Sequence, residues 1–469
     1  MITVIYRVCD EKPMQFVGRR KELADLEGIY AKGGSAVMVY GRRRIGKTSL
    51  LERFCEGKRN LFLRCLKDSD SSNLEYISAS VTEFSRETTV LASFFDMTKA
   101  MESIIEAGKT VIVIDEFPYI ASSLVSSLLQ HFIDGPLRRS DSMLILCGSY
   151  VSVMKKEYED SGRPLFGRFK RIVHLGPLSF EETREFHPDM SEYDALRLYL
   201  TIGGIPRYHA ELDSPTFDQC IRENYIVNDW MTEEPEHLIE SELPNPKRAL
   251  SILSAIGNGS TSLKEIAQKV AVDETLCSKC IRMLIEMGIV SKVIPTFDAP
   301  KRPVYMISDG LFAFQYCVLQ KKAGLLSPGH ADEFYRMLRP SIDTFLGKRF
   351  KQYCSGFIMD RFMTLEIGTW WMDKDDFHSE IDVTARVSLN NIKYDLFCEC
   401  KFRKEPMGFA SLEALRRRSD RFLNRTNSRF VLFSISGFDN RLSEYAAGDP
   451  EVILVGPEEL FGHKDLPSL

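Results

Sequence analysis

Two glycines five residues apart, followed by a lysine and a threonine, give Gly41-Arg42-Arg43-Arg44-Ile45-Gly46-Lys47-Thr48 the spacing G-x-x-x-x-G-K-[ST]. Glycines so placed let a loop curl until its backbone N–H groups converge on phosphate oxygens. Lys47 would offset the charge of the β and γ phosphates, and the Thr48 hydroxyl would ligate Mg2+. A helix over residues 47–54, with Ser49 in its first turn, would point its positive end at the same anion. Arg42, Arg43, Arg44 and Ile45 lie inside the loop, at the phosphate site. The three arginines read as exposed or ion-paired rather than catalytic.

Val111-Ile112-Val113-Ile114-Asp115-Glu116 carries the second signal. Four apolar residues make a buried strand, and two carboxylates emerge at its C-terminal end, where parallel sheets bind ligands. Asp115 would hold Mg2+ through water. Glu116 would polarise the attacking water, work that a carboxylate beside the γ-phosphate can do. Loop and strand together predict ATP hydrolysis, with ATP and Mg2+ as cofactors.

The scaffold these residues need is legible around them. Apolar runs at 36–40, 61–63, 111–114 and 143–147 alternate with helical stretches across residues 15–210, the pattern of buried parallel strands. The expected fold is α/β: a P-loop NTPase parallel sheet with helices on both faces, then a winged-helix domain and a further α/β domain. Residues 211–245 form an acidic helical extension ending at Leu243-Pro244-Asn245-Pro246, a natural boundary. Residues 246–325 make the winged helix, and residues 330–469 open with a helix and continue with strands at 357–367, 380–385, 394–400 and 429–434.

Phe16-Val17-Gly18-Arg19-Arg20-Lys21-Glu22-Leu23, with Gly-Arg-Arg-Arg inside the phosphate loop, resembles the archaeal-type ATPase family, which is similar to the AAA+ and STAND ATPases. The resemblance implies that Val17 and Gly18 sit near the adenine and that Ser149 is a polar sensor near the γ-phosphate. It also implies that Pro206, in Gly203-Gly204-Ile205-Pro206-Arg207-Tyr208, closes the nucleotide site. Arg163 and Arg168 follow the sensor strand where the family would place a transition-state arginine. Arg168 is the catalytic choice, and a solvated loop arginine is the equal alternative.

In the middle domain a capped helix from Thr261-Ser262, a turn, a helix over 273–287 and strands at 289–295 and 304–307 read as helix-turn-helix with a wing. Ser278, Lys279 and Arg282 could face a groove, and Lys301 and Arg302 on the wing could meet phosphates. Asp273 and Glu274 would repel them, so DNA contact and packing inside the protein stay open as alternatives.

Farther on, Asp382 and Glu399-Cys400-Lys401 resemble the D…(D/E)-x-K core of restriction-endonuclease-like nucleases. The resemblance implies an α/β nuclease-like domain of the PD-(D/E)XK kind over residues 330–469. Asp382 and Glu399 could share a metal ion. Lys401, two residues on and on the same strand face as Glu399, could help deprotonate water. Arg416, Arg417, Arg418, Arg421 and Arg425 form a candidate phosphate footprint. Where such nucleases often add a carboxylate from the preceding helix, this chain has Lys348, Arg349 and Lys351, which predicts a weak or inactive nuclease.

The chain has 469 residues, 44% apolar and 27% charged, with 61 basic and 66 acidic side chains and a net charge of −5. This argues against disorder and against a histone-like polycation, so a nucleic-acid contact would need a local basic patch. The 11 cysteines lack paired zinc spacing, and Trp370-Trp371 reads as buried packing. No signal peptide or membrane span is legible, which predicts a cytoplasmic protein with no membrane partner. The leading reading is an AAA+/STAND-like ATP-hydrolysing switch with DNA, a second copy or another protein as partner. An ATP-regulated metal-dependent DNA nuclease and an ATP-binding scaffold without turnover are the rivals.

Overall fold

A computed structural model describes residues 16–293, 303–325, 330–374, 377–420, 422, 425 and 427–465. Within them the chain forms two compact units. One comprises residues 16–186 with Gly204–Glu211, the other His187–Gly203 with residues 212–465.

The first unit is built on β1 (Ser35–Tyr40), β2 (Asn60–Arg64), β3 (Val111–Asp115), β4 (Met143–Gly148) and β5 (Phe169–His174). All five are parallel, in the order β2-β3-β4-β1-β5. β3 and β4 are buried along their whole length, as a sheet covered on both faces requires. Ile112, Ile114, Leu144 and Leu146 face a core under the helices Asp70–Ser85, Phe94–Glu106 and Ser123–Asp134. Val113, Ile145 and Val37, on the opposite face, are equally buried, and the helices Arg20–Lys32 and Lys47–Cys55 pack on that side of the unit. β5 is an addition to the four runs read from the sequence. It is an edge strand, largely exposed, and its Lys170 and Arg171 hide it from any search for apolar runs.

In the second unit the helices Pro246–Gly257, Leu263–Val270 and Glu274–Glu286 precede a hairpin of β6 (Val290–Val293) and β7 (Val304–Ile307). β6 begins one residue after the expected start at 289, β7 has the expected bounds 304–307, and residues 294–295 of the expected first strand lie outside the described residues. The hairpin loop, with Lys301 and Arg302, lies outside them too.

The helix Ala331–Arg361 leads into a mixed sheet of β8 (Met363–Lys374), β9 (Phe377–Leu389), β10 (Ile392–Lys401), β11 (Ser428–Ser434) and β12 (Val452–Val455). They lie side by side in chain order. β9 runs antiparallel to β8 and β10, and β10, β11 and β12 are mutually parallel. Trp370, Phe397, Leu412 and Phe430 share the core of this sheet. The strand expected over 357–367 is corrected: Phe357 belongs to the preceding helix, and β8 begins at Met363. Phe357 and Ile358 are buried on the helix, and their apolar run mimics a strand start. Among the described residues no helix is long and apolar enough to cross a membrane.

Candidate functional site

The phosphate loop leaves β1 at Gly41 and enters the helix at Lys47. Gly46 takes the left-handed conformation (φ 85°), which turns the chain into the helix and favours glycine. Lys47 folds back, its Nζ donating to the Arg42 carbonyl at 3.2 Å. The Thr48 hydroxyl donates to Asp115 Oδ2 at 2.9 Å, so the two expected metal-holding groups meet at the ends of adjoining elements. The Glu116 N–H donates to the other Asp115 oxygen at 3.1 Å. Glu116 is itself in the left-handed region (φ 53°), and its Oε2 accepts the Ser149 hydroxyl at 2.8 Å and the Ser149 N–H at 3.1 Å.

A cavity of about 420 Å3 opens over the loop, within the usual range for small-molecule sites. Val17, Arg43, Arg44, Ile45, Gly46, Lys47, Thr48, Ser49, Glu116 and Pro206 line it. Gly18, Gly41, Arg42, Asp115 and Ser149 are not among its lining residues. Arg43 reaches the Tyr119 hydroxyl at 2.8 Å. Arg42, Arg43 and Arg44 are half-buried, and burial lowers the Arg44 pKa. Pro206 begins the turn Pro206–Ala210. Just before it, any side chain on Gly204 would strike the Leu178 carbonyl.

Sequence reasoning gave no role to Arg19, Tyr119, Phe186, Arg207 or Ala210, all on the cavity wall. Arg19 is the most telling. It is buried, and its guanidinium donates to the Ile45 carbonyl at 3.1 Å and the Gly176 carbonyl at 2.6 Å, tying the phosphate loop to the chain beyond β5. Its own N–H donates to Glu182 Oε1 at 2.9 Å. The signal available was its position beside Val17 and Gly18, in a segment noted for resemblance only.

Arg168 lies outside the cavity wall. Its guanidinium engages Asp134 at 3.0 Å and the Phe166 carbonyl at 2.9 Å. Arg163 is bound to Glu157, a fully buried carboxylate that also accepts the Ser126 hydroxyl at 3.0 Å.

In the second unit Asp382 on β9 and Glu399 on β10 each face cations. Asp382 Oδ1 is 2.6 Å from Lys351 Nζ, and Oδ2 accepts the Cys400 N–H at 2.8 Å. Glu399 Oε1 is 2.5 Å from Lys401 Nζ. Its Oε2 is 3.0 Å from Arg418 Nη2, an ion pair without hydrogen-bond alignment. The arginine footprint is largely consumed: Arg416 pairs with Asp449, Arg418 with Glu399 and Arg425 with Asp420. Arg417 is exposed, and Arg421 lies outside the described residues. Trp370 is buried, as expected; nothing is described of the Trp371 side chain. On the winged helix Lys279 and Arg282 are exposed and Ser278 half-exposed.

Residues 16–212 match the family described as an ATPase domain predominantly from Archaea. This segment is similar to that archaeal ATPase family. Beyond that segment, residues 244–291 match the winged helix-turn-helix DNA-binding family, and residues 315–417 match a family of archaeal and bacterial proteins of unknown function. An uncharacterized protein of Methanocaldococcus jannaschii is 26% identical over 404 residues, covering 83% of this chain and 88% of its own. An uncharacterized ATP-binding protein of the same organism is 40% identical over 47 residues, 10% of this chain and 80% of its own. Among solved structures, the Walker-type ATPase of Pyrococcus abyssi aligns at TM-score 0.50 and 19% identity, over 64% of this chain and 96% of that one. That likeness supports the fold of the ATPase.

Proposed function

We propose that the protein is a Mg2+-dependent ATP-hydrolysing switch of the AAA+/STAND-like kind. The observation that carries the reading is the meeting of Thr48 and Asp115 at 2.9 Å beside a cavity walled by Lys47 and Glu116. A hydroxyl and a carboxylate are hard oxygen donors, the set Mg2+ takes, with water and phosphate oxygens for its remaining positions. Bound there, Mg2+ would supply charge neutralisation on the β and γ phosphates.

The chain's own residues do the rest. Loop N–H groups and the Lys47 ammonium hold the phosphates, and Lys47 exchanges its contact with the Arg42 carbonyl for phosphate oxygen. Val17 borders the base, with Gly18 next to it in the chain, and Pro206 closes the wall. Glu116 receives the proton of the attacking water at its carboxylate once Ser149 lets go of Oε2. No arginine besides Arg19, Arg43, Arg44 and Arg207 lines this cavity among the described residues. Arg168 would therefore act from a second copy, which makes the active form an oligomer.

The switch reading has support in the chain path. Pro206 lies in Gly204–Glu211, which belongs to the ATPase unit, while the residues on both sides of that segment belong to the second unit. A nucleotide that moves Pro206 pulls on both crossings, and the winged helix and the C-terminal domain belong to the unit being pulled. Exposed Lys279 and Arg282 support a DNA contact. The order of β8 to β12, with β9 reversed, supports a nuclease-like fold for the last domain.

The test is ATP turnover by the purified full chain, with Mg2+ and with EDTA, across single- and double-stranded DNA and RNA. Mg2+-dependent hydrolysis changed by one of these ligands is the expected result. ATP binding without turnover under every condition would leave the scaffold reading in its place.

A further inference from the structure

In a nuclease-like domain Asp382 and Glu399 should gather around a divalent ion. Here they do not fit one. Each of their four carboxylate oxygens already faces a donor or cation of the chain itself: Lys351, the Cys400 N–H, Lys401 and Arg418. Among the described residues no three His, Cys, Asp or Glu side chains gather as a metal site.

The three cations of the preceding helix behave differently. Lys348 is exposed. Arg349 turns to main-chain oxygens, at 3.1 Å from Leu200 and 2.8 Å from Ser308. Only Lys351 enters the carboxylate cluster, placing its ammonium 2.6 Å from Asp382 and 2.9 Å from Glu380, two residues earlier on β9. Arg418 closes the far side by donating to the Glu380 carbonyl at 2.7 Å. Asp382, Glu399 and Glu380 thus stand against Lys351, Lys401 and Arg418, three charges of each sign. A divalent ion would add net charge to a balanced cluster and displace ammonium contacts already made, for no gain in ligands.

We propose that the Lys351 ammonium is the resident cation of this cluster, held between Asp382 and Glu380, and that it excludes divalent metal from the C-terminal domain. Burial alone would lower the Lys351 pKa, but Asp382 and Glu380 outweigh it and raise it above the ordinary lysine value. The proposal draws on the nuclease-like reading only for the expectation that a metal belongs there.

Manganese binding to the nucleotide-free full chain, followed by the loss of the free Mn2+ spin-resonance signal, tests it. The parent should show no site that depends on Asp382. Lys351→Met should gain one, bound at least tenfold more tightly than any such site in the parent, and the double variant Lys351→Met/Asp382→Asn should lose it. Mn2+ should also raise the melting temperature of the Lys351→Met variant and leave the parent unmoved. Lys351→Gln, which keeps a polar group, serves if the Met variant fails to fold, and retained ATP turnover reports folding in both. A parent site that disappears in Asp382→Asn would overturn the proposal. So would a folded Met or Gln variant that gains no site. Plasmid nicking separates the two ideas. A Lys351→Met variant that binds Mn2+ without nicking supports the resident lysine and removes support for the nuclease-like reading. Mn2+-dependent nicking by the parent, lost in Lys401→Ala, overturns the resident lysine and keeps that reading.

Discussion

The Ser149 hydroxyl and the Ser149 N–H converge on one oxygen of Glu116, at 2.8 and 3.1 Å. Ser149 is not on the cavity wall and Glu116 is. Under the proposed function the serine would act on the nucleotide through the glutamate, holding the base. Ser149→Ala should free Glu116 Oε2 of its side-chain donor and raise basal ATP turnover about fivefold, the equivalent of one hydrogen bond of about 1 kcal/mol. Steady-state turnover at saturating ATP checks this, and a fall in turnover would mean that Ser149 aims Glu116 rather than restraining it.

Glu116→Gln and Lys47→Ala should separate chemistry from binding. The Gln variant keeps ATP bound and slows hydrolysis by about 10^2 to 10^4, the range of general-base catalysis. The Ala variant loses the cation that faces the phosphates and should bind ATP weakly or not at all. Calorimetric affinity beside single-turnover rates distinguishes them. Parent-like binding and turnover in Lys47→Ala would remove the phosphate-site assignment.

Arg19 holds two main-chain carbonyls, that of buried Ile45 and that of half-buried Gly176. Arg19→Met should leave the Ile45 carbonyl without this donor and cost about 1.5–3 kcal/mol, as for hydrogen bonds to charged groups. ATP affinity should fall with it, because Ile45 is part of the loop. Denaturant melts and ATP titration on one preparation would show both changes, and a stability loss with parent-like affinity would confine Arg19 to folding.

Arg168 should reveal itself only between copies. Parent turnover per chain should rise with protein concentration, and Arg168→Ala should flatten that rise with little change in ATP affinity. Identical concentration curves for the two proteins would take Arg168 out of the reaction.

His187 makes stability depend on pH. Its ring is buried, and burial lowers its pKa from 6.5 to about 4. Between those values the unfolded chain binds a proton that the folded chain refuses, so stability is lost as pH falls from about 6.5 towards 4. The loss reaches about 3 kcal/mol at the low end. His187→Phe should flatten this part of the curve in urea melts taken at several pH values. An unchanged slope would assign the acid sensitivity elsewhere.

The sequence by itself determined the chemistry that local spacing can encode. Residues 41–48 contain both glycines, the lysine and the threonine of one loop, and four apolar residues ahead of Asp115 announce a buried strand. Each signal lies inside one element and survives without knowledge of its neighbours. Tertiary structure decided whatever depends on which elements meet. β5 was hidden because an edge strand has polar residues. Arg19 looked like one basic residue among several until the fold set it under Ile45. Thr48 and Asp115 are 67 residues apart in the chain and become partners only because β3 ends where the helix Lys47–Cys55 begins. In the C-terminal domain the spacing of Asp382, Glu399 and Lys401 suggested a metal. The fold brought in Lys351 from a helix 31 residues upstream of Asp382 and Arg418 from one 19 residues beyond Glu399. Charge neutralisation acts through space, so only the folded chain could reveal that these carboxylates already had their cations.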